Sequence, residues 1–336
     1  RTSVHVEGKG LTKRAAMGRG FEAWGWLFLL ALQCGLQPLM TSTFTSTEVI
    51  SSAAIIVQEG VLKVLFGMQA VFFFTKSGNE IVKNWSLKRS IATAGIPAML
   101  YAVQNLLTIV AMNKIDGLTF NILNQSKLIW NAVFVYIFLQ EKFRPRQIAS
   151  LGIIIFTTLL VSTDPTKFDM QTTTDGEIQG RLVGIGLTLV AGAISGVAST
   201  VMQYNLQRLQ RNSYLMSAEL GFFSACFLIL KLLCEGYLLG IGDGQRILNS
   251  SFFEGFDKYT VLPLMSTACG GIVVGKVTYH LGGVGKAYGL LAGLVLSLLI
   301  HADTITWRLL TAVPLIILAF WLKLARTSSD VKQHDD

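Results

Sequence analysis

The sequence predicts an all-α membrane protein of about ten transmembrane helices, and three observations predict it. Of its 336 residues, 51% are hydrophobic and only 14% are charged, against about 25% charged in a soluble domain. Ten apolar stretches follow one another with only short connections between them. The positive residues then gather on alternate connections, the pattern that membrane insertion imposes. So few charges over such a length cannot clothe a water-facing surface, which excludes a soluble enzyme, a disordered chain and a disulfide scaffold.

Crossing the hydrocarbon core takes about 20 apolar residues. In chain order the candidate spans are 21–45, 49–75, 91–112, 117–139, 148–162, 182–206, 214–239, 259–281, 284–300 and 305–322. The fifth is short and the second long. A basic segment, 1–20, precedes them and reads as a flexible cytosolic tail near anionic lipids. A polar tail, 326–336, follows, and the transporter domain is 21–325, with halves 21–163 and 181–325. Seventeen of the 28 Lys and Arg residues fall on one predicted side: five before residue 20, four between 76 and 89, three between 142 and 146, two between 208 and 211, and three after 322. That side is cytosolic, so both termini are expected there, and an odd number of spans would scramble the alternation.

The opposite loops are acidic, with Asp164, Asp169, Asp175, Glu177, Asp243, Glu254 and Asp257. One carries the sequon Asn249-Ser250-Ser251, which suits a secretory-pathway membrane. The sequon Asn84-Trp85-Ser86 lies on the cytosolic side and is expected to be unused. Ten spans divide into five plus five, and two copies of an odd-span unit must have opposite orientations, the inverted-repeat plan of many transporters. The small-residue faces Gly192-x-x-x-Gly196 and Gly289-x-x-x-Gly293 read first as ordinary close helix packing.

An ionisable residue inside a span is expensive and defaults to a functional reading. The fourth span is the strongest case. Phe120, Asn124, Lys127 and Asn131 share one helical face, with Asn121 beside it. Lys127 lies too deep to reach water easily and has no acid in its own helix. A ligand anion, or a glutamate from another span, has to complete it. In the third span Tyr101, Gln104 and Asn105 stand at i, i+3 and i+4, a phenol and two amides able to read and stack on a nucleobase; hydrogen bonds between helices are the plainer use of them. Lys286 opens the ninth span, where extending toward headgroups is the alternative.

The remaining in-span charges rank lower. Glu59 with Lys63, and Lys231 with Glu235, are spaced to pair with themselves. Glu219, Gln203, Tyr204, Lys276, Tyr279 and His280 are candidate cavity linings. Catalytic signatures are absent: there is no HExxH motif, no P-loop and no GxSxG elbow. The four scattered cysteines form no close pair and read as packing residues. No cofactor, metal or nucleic-acid partner is expected, and no ATP-driven machinery is visible.

Tyr101-Ala102-Val103-Gln104-Asn105, Asn124-Gln125-Ser126-Lys127 and Lys286 resemble the nucleotide-sugar transporters, in particular the branch of the CMP-sialic acid and UDP-galactose transporters. The similarity runs through roughly residues 50–325 and includes Glu59 and Lys63. It implies a ten-helix fold of the drug/metabolite transporter type in Golgi or ER membrane, exchanging a cytosolic nucleotide sugar for lumenal nucleoside monophosphate. It also implies that Lys127 and Lys286 hold phosphates, that Tyr101, Gln104 and Asn105 engage the nucleotide, and that Asn121 and Asn124 line the same cavity. The chain departs from the pattern at Phe120 and Asn124, where animal relatives have tyrosines. It departs again at Gln203, which replaces an acid, at Ala218 and Leu220, which replace polar residues, and around Tyr279 and His280. Base and sugar stay open. The alternatives are a carrier of another phosphorylated or small polar metabolite, and a membrane scaffold for glycosyltransferases. A homodimer and a glycosyltransferase are the protein partners left open.

Overall fold

In a computed structural model of the chain, the structure describes residues 3–46, 49, 51–112, 114–115, 120, 123–124, 126–141, 143–162, 175–239, 242–248, 251–301 and 307–324. Every predicted span holds a described helix, and the described residues contain no strand. Helix α1 is Ser3–Phe44, so the helix begins inside the segment read as a flexible tail. Helix α2 is Ser51–Phe74 and is π-helical over Ile56–Lys63. A short α3, Gly78–Lys83, bridges to α4, Leu87–Met112. Helices α5, Ser126–Leu139, and α6, Pro145–Ser162, complete the first half.

Helix α7, Asp175–Gln203, ends in a π-helical turn, Tyr204–Arg208. Helix α8 is Ser213–Cys234, begun by Asn212, whose side-chain oxygen accepts from the Tyr214 and Leu215 amides. A short α9 is Gly242–Leu248. The run Val261–His301 is broken at Gly282, with φ 74° and ψ 178°, so it is two helices, α10 before the break and α11 after it. Helix α12 is Trp307–Leu324. Six of the described helical segments are long and apolar enough to cross a bilayer: Glu22–Phe44, Ser51–Phe74, Leu87–Met112, Gln179–Arg208, Ser213–Tyr237 and Val261–Gly283. Large apolar side chains point outward, Phe73 82% and Ile317 62% exposed, which suits hydrocarbon as solvent and not water.

Inside, α1 lies along α10 and α11, α7 lies between α4 and α5, and α6 pairs with α12. The central cluster joins Leu27 and Leu30 of α1, Leu128 of α5, Ile154 of α6, Tyr288 and Leu291 of α11, and Ile316 of α12. The buried Tyr288 hydroxyl bonds the Ser150 hydroxyl of α6, which also donates to the Ala319 carbonyl of α12 at 2.7 Å. Without hydrophobic drive between helices in lipid, backbones must approach closely for dispersion to hold them. Gly196 does this: a Cβ there would come within 2.9 Å of the Trp130 backbone of α5. The small-residue face read as helix packing is therefore that.

On the loop opposite the basic side, the Asp257 carboxylate accepts from the Thr260 hydroxyl at 2.7 Å, the Thr260 amide at 2.7 Å and the Tyr259 amide at 3.0 Å, ordering the start of α10. The Thr260 hydrogen bonds hold its pKa below the ordinary carboxylate value. A depressed carboxylate contributes stability above its unfolded pKa and loses it as pH falls through the folded one. Asp257→Ala is therefore expected to lower the unfolding midpoint at neutral pH. The gap to wild type should close as pH is taken below about 4, measured by thermal unfolding of detergent-solubilised protein across pH.

Candidate functional site

Helix α5 carries Lys127 in its first turn and Asn131 one turn later on the same face. The glycines of α7 receive that face: a Cβ at Gly192 would meet the Ser126 hydroxyl at 2.8 Å, and one at Gly196 would meet the Asn131 amide nitrogen at 3.0 Å. Opposite stands the break at Gly282, after which α11 starts afresh and presents Lys286 in its first turn. Lys127 and Lys286 are both half-buried, and their helices meet one turn away, where a Cβ on Gly283 would come 2.9 Å from the Asn131 side-chain nitrogen. Among the described residues, neither ammonium has a hydrogen-bond or ion-pair partner.

The glutamates that offered an alternative are engaged elsewhere. Glu59 binds Lys63 at 2.7 Å and Glu235 binds Lys231 at 2.8 Å, each within its own helix. Glu219 binds Arg211 at 2.5 Å. Glu22 stands 3.6 Å from His280 and accepts from the Trp26 indole at 3.5 Å. Two like charges in a low dielectric, neither with a partner among the described residues, are costly to keep there without an anion.

Asn124 is half-buried, one turn before Lys127; Asn121 lies outside the described residues. Tyr101, half-buried on α4, packs with Tyr279 against Met202, Leu206 and Met216. Gln104 is half-buried and donates to the Thr108 hydroxyl at 3.4 Å, and Asn105 is exposed. The structure thus brings the helices that carry the two lysines together. Among the described residues, no bond joins Tyr101, Gln104 or Asn105 to either of them.

The lower-ranked residues have other work. Glu219 and Arg211, 6% and 7% exposed, are buried together, and Glu219 also accepts from the Trp85 indole at 2.8 Å. Arg211, Trp85, Arg89, Lys276 and Tyr279 line a cavity of about 480 Å³ beside the basic loops. There the Lys276 ammonium sits 4.1 Å over the Tyr214 ring. A second, mostly apolar cavity of about 930 Å³ lies between α5, α6 and α10, reached by Glu141, Gln147 and Gln203. Lys127 and Lys286 line neither.

Gln203 is 3% exposed and accepts the Gly283 amide hydrogen bond at 2.8 Å. Beside it Asn131 and Ser199 are buried, each with a side-chain oxygen that has no partner among the described residues. Residue spacing along one helix gave no signal for the roles of Arg211, Trp85 and Gln203, because their partners lie in other segments of the chain. The four cysteines are free, and the described residues hold no metal-ligating cluster.

Comparison with known proteins gives three results. A family profile described as nucleotide-sugar transporter matches residues 25–322. The UDP-N-acetylglucosamine transporter ROCK1 of Arabidopsis thaliana is 32% identical over 275 residues, 81% of this chain and 81% of that one. The human UDP-N-acetylglucosamine transporter is 25% identical, over 75% and 76% of the two chains, and the Schizosaccharomyces pombe UDP-galactose transporter 24%, over 68% and 63%. Among solved structures, one crystal structure superposes with a TM-score of 0.62 at 13% identity, over 90% of this chain and 96% of that one. That likeness shows a shared fold.

Proposed function

Because the chain belongs to the nucleotide-sugar transporter family, and is thus a membrane transporter and not an enzyme, we propose that it exchanges a cytosolic UDP-sugar for lumenal UMP by alternating access. The observation that carries the reading is the pair Lys127 and Lys286, two half-buried like charges without a partner among the described residues. Lysine is a flexible point charge, so one pair can serve a diphosphate in one direction and a monophosphate in the other. With no ligand bound, two uncompensated cations make reorientation slow, and slow empty reorientation is what couples the two fluxes. Tyr101, Gln104 and Asn105 are assigned to the nucleoside, and Asn121 and Asn124 to the same cavity.

The frame proposed for this is ten spans in a 5+5 inverted repeat, both termini cytosolic, in Golgi or ER membrane. The substrates of the three relatives above favour UDP-sugars over CMP-sugars. Counterflow tests it. Purified protein is placed in liposomes preloaded with UMP, CMP, GMP or nothing, and uptake of labelled UDP-N-acetylglucosamine, UDP-galactose and CMP-sialic acid is followed. UMP is expected to stimulate uptake of a UDP-sugar, and CMP and GMP to leave it at the level of empty liposomes. Folded protein that no monophosphate stimulates would defeat the exchange reading in favour of another phosphorylated metabolite.

A further inference from the structure

We infer that Gln203 is a positioning residue for the lysine pair, setting how far Lys286 stands from Lys127; this rests on the phosphate-binding role proposed above for that pair. Lysine is long and flexible, so the spacing of two ammonium groups is governed by how firmly their backbones are held. Helix α11 begins at Gly283, after a residue whose φ of 74° ends α10 outright and which only glycine adopts easily. The first N–H groups of a helix have no partner within it. The buried Gln203 side chain supplies one: its Oε1 accepts the Gly283 N–H at 2.8 Å.

The same amide is wedged against the break. A Cβ on Gly282 would come 2.9 Å from its Nε2. That Nε2 donates toward Glu141 Oε2 at 3.4 Å, just beyond the end of α5. One side chain of α7 therefore holds the start of the Lys286 helix and the end of the Lys127 helix together.

A second contact fixes the register. Ser199 lies one turn before Gln203 on α7, and Asn131 lies one turn after Lys127 on α5. A Cβ on Gly283 would meet the Ser199 hydroxyl at 2.8 Å and the Asn131 side-chain nitrogen at 2.9 Å. The three helices meet at this junction with no room to slide, and Lys286 projects from α11 one turn beyond it.

The test separates positioning from packing by comparing a ligand with phosphate to one without. Equilibrium binding of UMP and of uridine is measured on wild type, Gln203→Leu, Gln203→Glu and the exchange variant Glu141→Gln/Gln203→Glu. Leucine leaves the Gly283 N–H unsatisfied and is expected to weaken UMP roughly tenfold while uridine binding is unchanged. Gln203→Glu keeps the acceptor but faces Glu141 with a like charge, so UMP preference is expected to fall. The exchange variant restores donor and acceptor with the net charge unaltered, and the preference is expected to return. Gln203→Leu at wild-type UMP affinity, a parallel loss of UMP and uridine, or a folded exchange variant that does not recover would each overturn the inference. A wild type with no preference for UMP over uridine would instead defeat the lysine-pair reading beneath it.

Discussion

Lys127→Ala is expected to cut counterflow by roughly 10- to 100-fold while the unfolding midpoint stays level or rises. A charge-assisted hydrogen bond contributes about 1.5–3 kcal/mol, and each 1.4 kcal/mol is about tenfold. The stability half follows from the same charge. Lys127 has no partner among the described residues and feels the like charge of Lys286, so in the empty carrier its removal relieves a cost and orphans nothing. Its small-residue neighbours do not depend on the side chain, since Gly192 and Gly196 pack on α5 backbone, Trp130 and the Ser126 hydroxyl. Counterflow in liposomes and thermal unfolding in detergent check the two halves together. Full activity in a folded Lys127→Ala protein would sink the phosphate role, and lost activity with a lowered midpoint would assign Lys127 to structure.

The helices were legible because lipid-facing and core-facing residues are both apolar, so hydropathy marks each span from end to end. The break between α10 and α11 was legible as well, since Gly282 and Gly283 interrupt an apolar run just where the eighth and ninth spans were divided. Of the charges, Lys127 and Lys286 stood out because a cation inside a span has no cheap local explanation. Glu59 with Lys63 and Lys231 with Glu235 were readable as pairs because i, i+4 spacing puts partners on one face. Other contacts were not legible. Gln203 meets a backbone amide 80 residues away, and Trp85 meets Glu219 across 134 residues. No periodicity encodes such partners, and Glu219 and Gln203 accordingly read as cavity linings. The α1 helix through the basic segment was missed for the opposite reason, since composition there speaks of solvent and not of backbone.

Glu219→Ala is expected to be among the most damaging single substitutions outside the lysine pair, lowering stability by about 3–5 kcal/mol. The Arg211 guanidinium reaches both Glu219 oxygens, at 2.5 and 2.6 Å, and Trp85 donates to one of them at 2.8 Å. Alanine leaves a buried guanidinium with no counter-ion among the described residues, on a side chain whose Nε already has no partner among them. The cost lies in the uncompensated charge and not in the pair itself, so the partner matters as much as the residue. Arg211→Leu should be about as harmful, by stranding the carboxylate. The double variant Arg211→Leu/Glu219→Leu should recover most of the loss, because an apolar pair of similar bulk avoids desolvating two ions. Trp85→Phe removes one hydrogen bond and leaves the ion pair intact, and is expected to cost about 1 kcal/mol. Thermal or denaturant unfolding of wild type, Glu219→Leu, Arg211→Leu and the double variant closes the cycle. A double variant as unstable as the sum of its singles would mean that Glu219 and Arg211 act separately. The clasp would then be two unrelated contacts, and the joint it makes between the α3–α4 connection and α8 would not hold the basic face of the molecule together.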